Sequence, residues 1–205
     1  MGIDGKYAVC GLLWVAWCFL HSATISITMT DFIKRKAGNA FRFYRMFFNL
    51  FAAATLIPVI HYSSLIKGRP IFAWEGNLIV IHYILLAIVF ALLGGSLLKY
   101  DLLQFIGIRQ ALKQTPHNAM SESGELDTTG ILGIVRHPLY LMTIIALWSG
   151  NLDTKGIMVN TILTIYVLTG TILEERKLIH EFGDKYRAYQ KRVPMLIPYK
   201  LMKRK

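Results

Sequence analysis

The chain has 205 residues, of which 54% are hydrophobic and 17% are charged. Soluble domains carry about 45–50% apolar and about 25% charged residues, so this composition argues against an ordinary soluble domain. The formal net charge of +11 could indicate nucleic acid, but Lys and Arg cluster between apolar runs and in the C-terminal tail. That distribution is typical of membrane topology and predicts no nucleic-acid partner.

Five apolar runs follow one another along the chain. Three are long enough to cross a bilayer, which takes about 20 apolar residues: Tyr7–Met29, Met46–Ile66 and Leu78–Leu98. Pro138–Gly150 is shorter and either spans or is re-entrant, and Gly156–Leu173 follows it after a polar turn. The pattern predicts an all-α integral membrane helical bundle of about five transmembrane helices. The last two form a hairpin, and a cytoplasmic C-terminal helical segment follows.

The distribution of positive charge predicts the orientation. Nineteen of the 23 Lys and Arg residues fall in two loops and a tail that lie on one side of a five-helix arrangement. The positive-inside rule then predicts an outside N-terminus and a cytoplasmic C-terminus. We expect residues 1–99 to form three N-terminal transmembrane helices and residues 100–205 to hold a cytoplasmic loop, the hairpin and the tail. The acidic, turn-rich stretch 120–130 within that loop is either a lid or a solvated connector.

Two charged clusters border the apolar runs, namely Arg136-His137 before Pro138 and Glu174-Glu175 at the end of the last run. Charged residues at a membrane boundary are costly, which makes these clusters candidates for function. Acidic groups near a helix C-terminus also oppose the helix dipole, so a cation should offset them. The alternative is a solvated helix end. Adjacent residues point about 100° apart, so only one glutamate can face a given partner directly.

Local signals predict how these clusters are presented. Pro138 suits the first turn of a helix, which would place His137 beside free backbone donors. Gly183 is expected to end the helix that carries the two glutamates, and Asp184 to cap the next one. In that next helix Tyr186 and Tyr189 lie three residues apart and share a face.

Histidines are the remaining candidates for chemistry. His137 could hydrogen-bond a ligand or accept a proton. His21, inside the first run, serves either an interhelical hydrogen bond or a pocket that binds substrate. No pair of histidines has metal-binding spacing, and the sequence carries no P-loop, dinucleotide fingerprint or nucleophile elbow, so no metal site is predicted.

Taken together, these motifs resemble the C-terminal half of the isoprenylcysteine carboxyl methyltransferase and phospholipid methyltransferase superfamily. The resemblance covers about 129–198 and is nearest the methanethiol S-methyltransferase and NnrU-like branch. It rests on the following residues in order: Arg136-His137-Pro138-x-Tyr140, Glu174-Glu175-x-x-Leu178, Phe182-Gly183-x-x-Tyr186-x-x-Tyr189 and Val193-Pro194. His21-Ser22 in the first run is similar to that branch too.

The resemblance implies an S-adenosylmethionine-dependent methyltransferase, with residues 100–205 as the cofactor-binding catalytic half. The acceptor would be a small or lipophilic thiol, or another small-molecule or lipid-like nucleophile reached among membrane lipids. Arg136 and His137 would be catalytic, with His137 as the candidate base for a neutral thiol. The cofactor would contact the following residues: Arg136, His137, Tyr140, Glu174, Glu175, Tyr186 and Tyr189.

One departure from the resemblance bears on the acceptor. Carboxyl methyltransferases of this superfamily carry a His and a Tyr shortly before the Arg-His-Pro, whereas this chain has Gly124 and Leu132. The difference argues against a prenylcysteine carboxylate as substrate. It also motivates an alternative, a non-catalytic NnrU-like membrane protein. A membrane reductase is a third hypothesis, but such enzymes have about twice as many spans.

Overall fold

In a computed structural model, residues 3–113 and 126–199 are described. They are mostly helical with very little strand, which confirms the predicted all-α membrane bundle. Nine α-helices lie in this part of the chain: α1 Ile3–Ile25, α2 Ile27–Ala37, α3 Tyr44–Ser64, α4 Leu78–Leu97, α5 Leu102–Phe105, α6 Ile108–Lys113, α7 Pro138–Trp148, α8 Thr154–Phe182 and α9 Asp184–Arg192. Short 3-10 helices occupy Gly38–Phe43 and Gly130–Gly133, and two short strands are β1 Pro70–Phe72 and β2 Leu152–Asp153. Most of the acidic stretch predicted to be a lid or connector lies outside the described residues.

Four stretches are long and apolar enough to cross a membrane: Gly5–Ile25, Ile27–Ser64, Leu78–Leu97 and Thr154–Phe182. The first predicted span was drawn too long. It ends at Ile25 rather than Met29, because Ser26 caps a new helix by accepting a hydrogen bond from the Met29 backbone N–H. Ser26 therefore begins a new helix within a stretch that the apolar pattern alone predicts to be one run.

The chain divides into two compact units, and each draws on several parts of the sequence. The first unit comprises Met1–Ile71, Leu102–Pro116 and Asp153–Leu163. Its core is apolar and includes Cys10, Trp14 and Val59. A polar contact lies inside that core, where the Trp14 indole donates to the Ser63 hydroxyl at 2.9 Å. Ser63 donates onward to the Val59 carbonyl, so the buried polar atoms are paired.

The second unit comprises Phe72–Asp101, His117–Leu152 and Thr164–Lys205, and within it α7 packs against α4. With eleven residues, α7 is about 16 Å long, about half of a bilayer core. The segment before it continues the packing along α4. Ile131 packs against Gly95 near the end of α4, and the Ser149 carbonyl bonds His82 near the start of α4 at 2.8 Å. Residues 131–149 therefore run alongside almost the whole of α4, and only part of this run is helical.

The helix boundaries around the charged clusters follow the predictions with one correction. Pro138 lies in the first turn of α7, as expected, and α8 ends at Phe182, just before Gly183. Gly183 itself, rather than Asp184, holds the cap position of α9. Its φ of +55° is easily adopted by glycine, and this turn lets α9 fold back towards α8.

Adjacent glycines in α4 provide a test of the packing along residues 131–149. A Cβ at Gly95 would lie 3.3 Å from the Ile131 Cβ, whereas one at Gly94 meets nothing within 4 Å. We expect Gly95→Leu to lower stability by about 1–3 kcal/mol through overpacking. Gly94→Leu is the matched control and should be neutral or stabilising, because leucine favours helix more than glycine does. Thermal unfolding of both variants in the same detergent would check this, and equal melting temperatures would contradict it.

Candidate functional site

A buried carboxylate, Glu175, lies at the centre of a polar cluster in the second unit. Its side chain belongs to α8, two helical turns before that helix ends. Arg136 and His137 reach it from the segment that leads into α7, and Tyr186 and Gln190 reach it from α9. We call these five residues the Glu175 cluster. Three chain segments thus converge on a single acidic group.

The Glu175 carboxylate accepts five hydrogen bonds. Arg136 grips both oxygens, with Nε to Oε1 at 2.9 Å and Nη2 to Oε2 at 2.7 Å. Oε1 also accepts from His137 Nε2 at 2.7 Å and from the Tyr186 hydroxyl at 2.6 Å. Oε2 accepts from Gln190 Nε2 at 2.6 Å. A carboxylate offers about four lone-pair positions, so these donors fill its capacity.

Arg136 also fastens the chain after α9. Its Nη1 donates to the carbonyls of Gln190, at 3.2 Å, and Val193. The backbone continues this attachment, because the Arg136 N–H donates to the Pro194 carbonyl at 3.0 Å and the His137 N–H to that of Met195 at 3.1 Å. The hydrogen bonds to Glu175 raise the pKa of Arg136 even though burial opposes the charge. Arg136 therefore stays cationic and acts as a fixed clamp.

The two tyrosines of α9 are buried and pack together on one face of that helix, and their spacing predicts the shared face. Their rings meet edge to face with centroids 5.7 Å apart. The Tyr189 hydroxyl donates to the Leu132 carbonyl at 2.6 Å, which fixes the segment before Arg136. Burial, reinforced by the bond to Glu175, raises the pKa of Tyr186, and burial also raises that of Tyr189. Both phenols are therefore neutral hydrogen-bond donors.

Glu174 has different surroundings from its neighbour. Its side chain is half-buried, and it accepts a hydrogen bond from the Tyr140 hydroxyl at 2.5 Å. Among the described residues no ion pair to Glu174 is found. Tyr100 lies within electrostatic range of Glu174, and both Tyr100 and Tyr166 lie within that of Tyr140. We call Glu174 with Tyr100, Tyr140 and Tyr166 the tyrosine pocket.

A ring contact joins the tyrosine pocket to the Glu175 cluster. The His137 imidazole and the Tyr140 ring are stacked, with centroids 5.6 Å apart and an interplanar angle of 19°. His137 is nearly inaccessible, with 3% of its surface exposed. An ionised carboxylate can only accept, so the His137 Nε2 must carry the proton in its bond to Glu175. Only Nδ1 of the neutral ring then remains as a potential proton acceptor.

The structure brings six predicted site residues together in these two groups, and Tyr189 supports them from α9. They are Arg136, His137, Glu175 and Tyr186 in the Glu175 cluster, and Tyr140 and Glu174 in the tyrosine pocket. His21 is not among them. It belongs to the first unit, where its ring lies 5.2 Å from that of Trp17 and 5.0 Å from that of Phe48.

Three residues of the site were missed at the level of sequence. Gln190 lies four residues after Tyr186 and therefore on the same helix face, a spacing that could have identified it. Tyr100 follows α4 and Tyr166 lies within an apolar run, and no local pattern links either of them to Glu174. Within the described residues no group of His, Cys, Asp and Glu could hold a metal ion.

The net charges of the two groups differ. In the Glu175 cluster the charge of the carboxylate is balanced by the buried Arg136 guanidinium, which bonds both of its oxygens. In the tyrosine pocket the Glu174 carboxylate accepts a hydrogen bond from the Tyr140 hydroxyl, and phenol rings have electron-rich faces. A carboxylate among aromatic rings is an arrangement that suits an organic cation. The site can therefore hold a cationic ligand against Glu174 while the Glu175 cluster keeps the surrounding segments fixed.

Comparison with known proteins gives relatives of a single name. The chain is 42% identical to the methanethiol S-methyltransferase of Pseudomonas deceptionensis over 96 residues, which are 46% of this chain and 36% of that protein. It is 38% identical to methanethiol S-methyltransferase 2 of Bradyrhizobium diazoefficiens over 130 residues, or 62% of this chain and 47% of the relative. The match to a methanethiol S-methyltransferase of a Pseudomonas species is longer and weaker. It has 28% identity over 191 residues, which are 84% of this chain and 72% of that protein.

The matched region covers between about a quarter and a half of the first three relatives' own length. No protein-family model matches the chain. No solved structure matches it either. The comparisons thus support the methanethiol S-methyltransferase branch of the resemblance drawn from the motifs, without reaching the wider superfamily.

Proposed function

We propose that this chain is an integral membrane methyltransferase that uses S-adenosylmethionine and acts on a small thiol. The observation that carries the proposal is Glu174, a half-buried carboxylate held by a phenol and lacking a described cation partner. Similarity to several methanethiol S-methyltransferases supports the same reaction class. Methanethiol is the acceptor that we propose first, on the strength of those names.

The residues present fit such a cofactor. Its sulfonium would be held by the Glu174 carboxylate and the faces of Tyr140, Tyr100 and Tyr166. Its carboxylate would suit the N-terminal turn of α7, where backbone N–H groups are free of helical partners. When bound, it supplies an activated methyl group for displacement by sulfur. The protein's contribution is then chiefly to position donor and acceptor.

All members of the Glu175 cluster except His137 would serve this chemistry by positioning rather than by contact. Glu175 is saturated with donors, so it has no capacity left for a ligand unless a bond breaks. Arg136 is held between Glu175 and two backbone carbonyls. His137 Nδ1 is the atom that could take the proton of a neutral thiol, because a thiol reacts as its thiolate. We therefore propose His137 as the base and Arg136 as its support.

A binding experiment separates the two glutamates. We expect Glu174→Gln to weaken S-adenosylmethionine binding by about tenfold, equivalent to about 1.4 kcal/mol, because it removes the charge that faces the sulfonium. Melting temperature should change little. Glu181→Gln is the matched control, since it removes the same charge two turns further along the same face of α8. Calorimetry on detergent-purified protein would measure both, and unchanged affinity in Glu174→Gln would contradict the proposed cation site.

Variants of the Glu175 cluster should behave in the opposite way. Glu175→Gln leaves the Arg136 guanidinium buried without its counter-charge, so we expect a loss of about 3–5 kcal/mol of stability. Arg136→Lys keeps the charge but cannot make the forked contact, and it should also destabilise. Thermal unfolding, followed in the same buffer as the binding experiment, would check both. Wild-type melting temperatures in these variants would show that the cluster has no positioning role.

Methyl transfer itself is tested by incubating the protein with methanethiol and methyl-labelled S-adenosylmethionine. The expected product is labelled dimethyl sulfide, which is measured in the headspace. His137→Ala should lower turnover by at least about 100-fold if His137 is the base. Tight cofactor binding without methyl transfer to any thiol or lipid would contradict the proposal and favour the non-catalytic alternative.

A further inference from the structure

Helix α2 stands apart from the other helices of the first unit. It follows α1 after one residue, Ser26, and spans Ile27–Ala37 without a single buried residue. Most of its apolar side chains are exposed, with 38% of Met29 and 51% of Phe32 accessible. Leaving such side chains in water is unfavourable, so an eleven-residue helix of this kind needs a surface to lie on.

The ends of the neighbouring helices fix where that surface is. The Tyr44 hydroxyl, at the start of α3, donates to the Thr24 carbonyl, at the end of α1. Both helices belong to stretches long and apolar enough to cross a membrane. Since the end of α1 contacts the start of α3, these two helix ends lie at the same face of the bilayer. The residues between them, α2 included, must therefore lie at that face.

Helix α2 has an apolar face and a polar face, an arrangement that suits a position at the membrane interface. Met29, Phe32 and Ile33 share one face of the helix at three- and four-residue spacing. Asp31 points about 160° away from Met29. Lys36 lies four residues after Phe32, and its aliphatic stem can run along the apolar face while its ammonium reaches the headgroups.

Positive charge accumulates at the end of α2 and continues beyond it. Lys34, Arg35 and Lys36 make up its last turn. In the following 3-10 helix the Arg42 guanidinium lies 4.7 Å from the centre of the Phe43 ring, whose surface is 46% exposed. An exposed aromatic ring paired with a cation therefore lies on this connection. That combination matches an apolar layer below a negatively charged one.

We propose that α2 is an interfacial helix that docks on the anionic headgroups of the bilayer crossed by α1 and α3. Its apolar face enters the headgroup boundary, and Lys34, Arg35, Lys36 and Arg42 contact lipid phosphates. Each cation near such a surface changes the ratio of docked to undocked helix by about fivefold, so the preference for anionic lipid should be large. This inference is independent of the proposed methyl transfer and extends beyond it.

The test places a probe on either face of α2 in the full chain. Met29→Cys, on the apolar face, and Asp31→Cys, on the opposite face, are each labelled with an environment-sensitive fluorophore. Cys10 and Cys18 are buried, and protein without an introduced cysteine measures their background labelling. The labelled proteins are reconstituted singly into nanodiscs of phosphatidylcholine, alone or mixed with phosphatidylglycerol. Quenching by neutral acrylamide is then compared.

In anionic nanodiscs we expect blue-shifted emission and several-fold weaker quenching at position 29 than at position 31. The difference should shrink in phosphatidylcholine and in the combined variant Lys34→Gln, Arg35→Gln and Lys36→Gln. Equal quenching at both positions in anionic nanodiscs would overturn the proposal. So would protection that ignores lipid charge, or protection that appears only with two copies per nanodisc, which would indicate a second copy as the partner.

A second measurement leaves the protein unlabelled, which guards against a probe that disturbs the helix. Spin-labelled phosphatidylglycerol and phosphatidylcholine are compared for their association with the unmodified protein and with the triple glutamine variant. We expect the wild type to prefer phosphatidylglycerol and the variant to lose most of that preference. An identical preference in both proteins would overturn the assignment of these cations to the headgroups.

Discussion

The bond between Glu175 and Arg136 is the contact on which the rest of the candidate site depends. Both side chains are less than a tenth exposed, so each charge would be costly without the other. Arg136 in turn holds the carbonyls of Gln190 and Val193, and its backbone N–H holds that of Pro194. One ion pair thus fixes the segment that precedes α7, the C-terminal part of α8 and the chain after α9.

The two adjacent glutamates show how helix geometry divides tasks within a single motif. Successive residues of an α-helix point about 100° apart, so neighbours face different surroundings. Glu175 turns inward and is filled with donors, whereas Glu174 turns towards phenols and remains half-buried. The proposed cofactor would thus contact Glu174, while Glu175 holds α8 and His137 in place. Paired acidic residues at a helix end therefore need not act as a pair.

Local signals predicted the parts of the structure that depend on local chemistry. The lengths of the apolar runs predicted the long helices, Pro138 predicted the start of α7, and Gly183 predicted the end of α8. The charged motifs gave most of the residues that meet around Glu175. Other features depend on tertiary packing. The course of residues 131–149 beside α4 follows from contacts at Gly95 and His82, and the place of Tyr100 beside Tyr140 involves residues 40 apart in sequence, so neither leaves a periodic trace.

The attachment of residues 190–195 to Arg136 and His137 has a consequence for biogenesis. A membrane protein is made from its N-terminus, so Arg136 and Glu175 leave the ribosome before the residues that complete their hydrogen bonds. Until Tyr186 and Gln190 emerge, the nascent chain holds an under-satisfied carboxylate next to the membrane. The Glu175 cluster is therefore completed only after α9 has been synthesised. A chain stalled before α9 would lack the two hydrogen bonds that Tyr186 and Gln190 donate to Glu175.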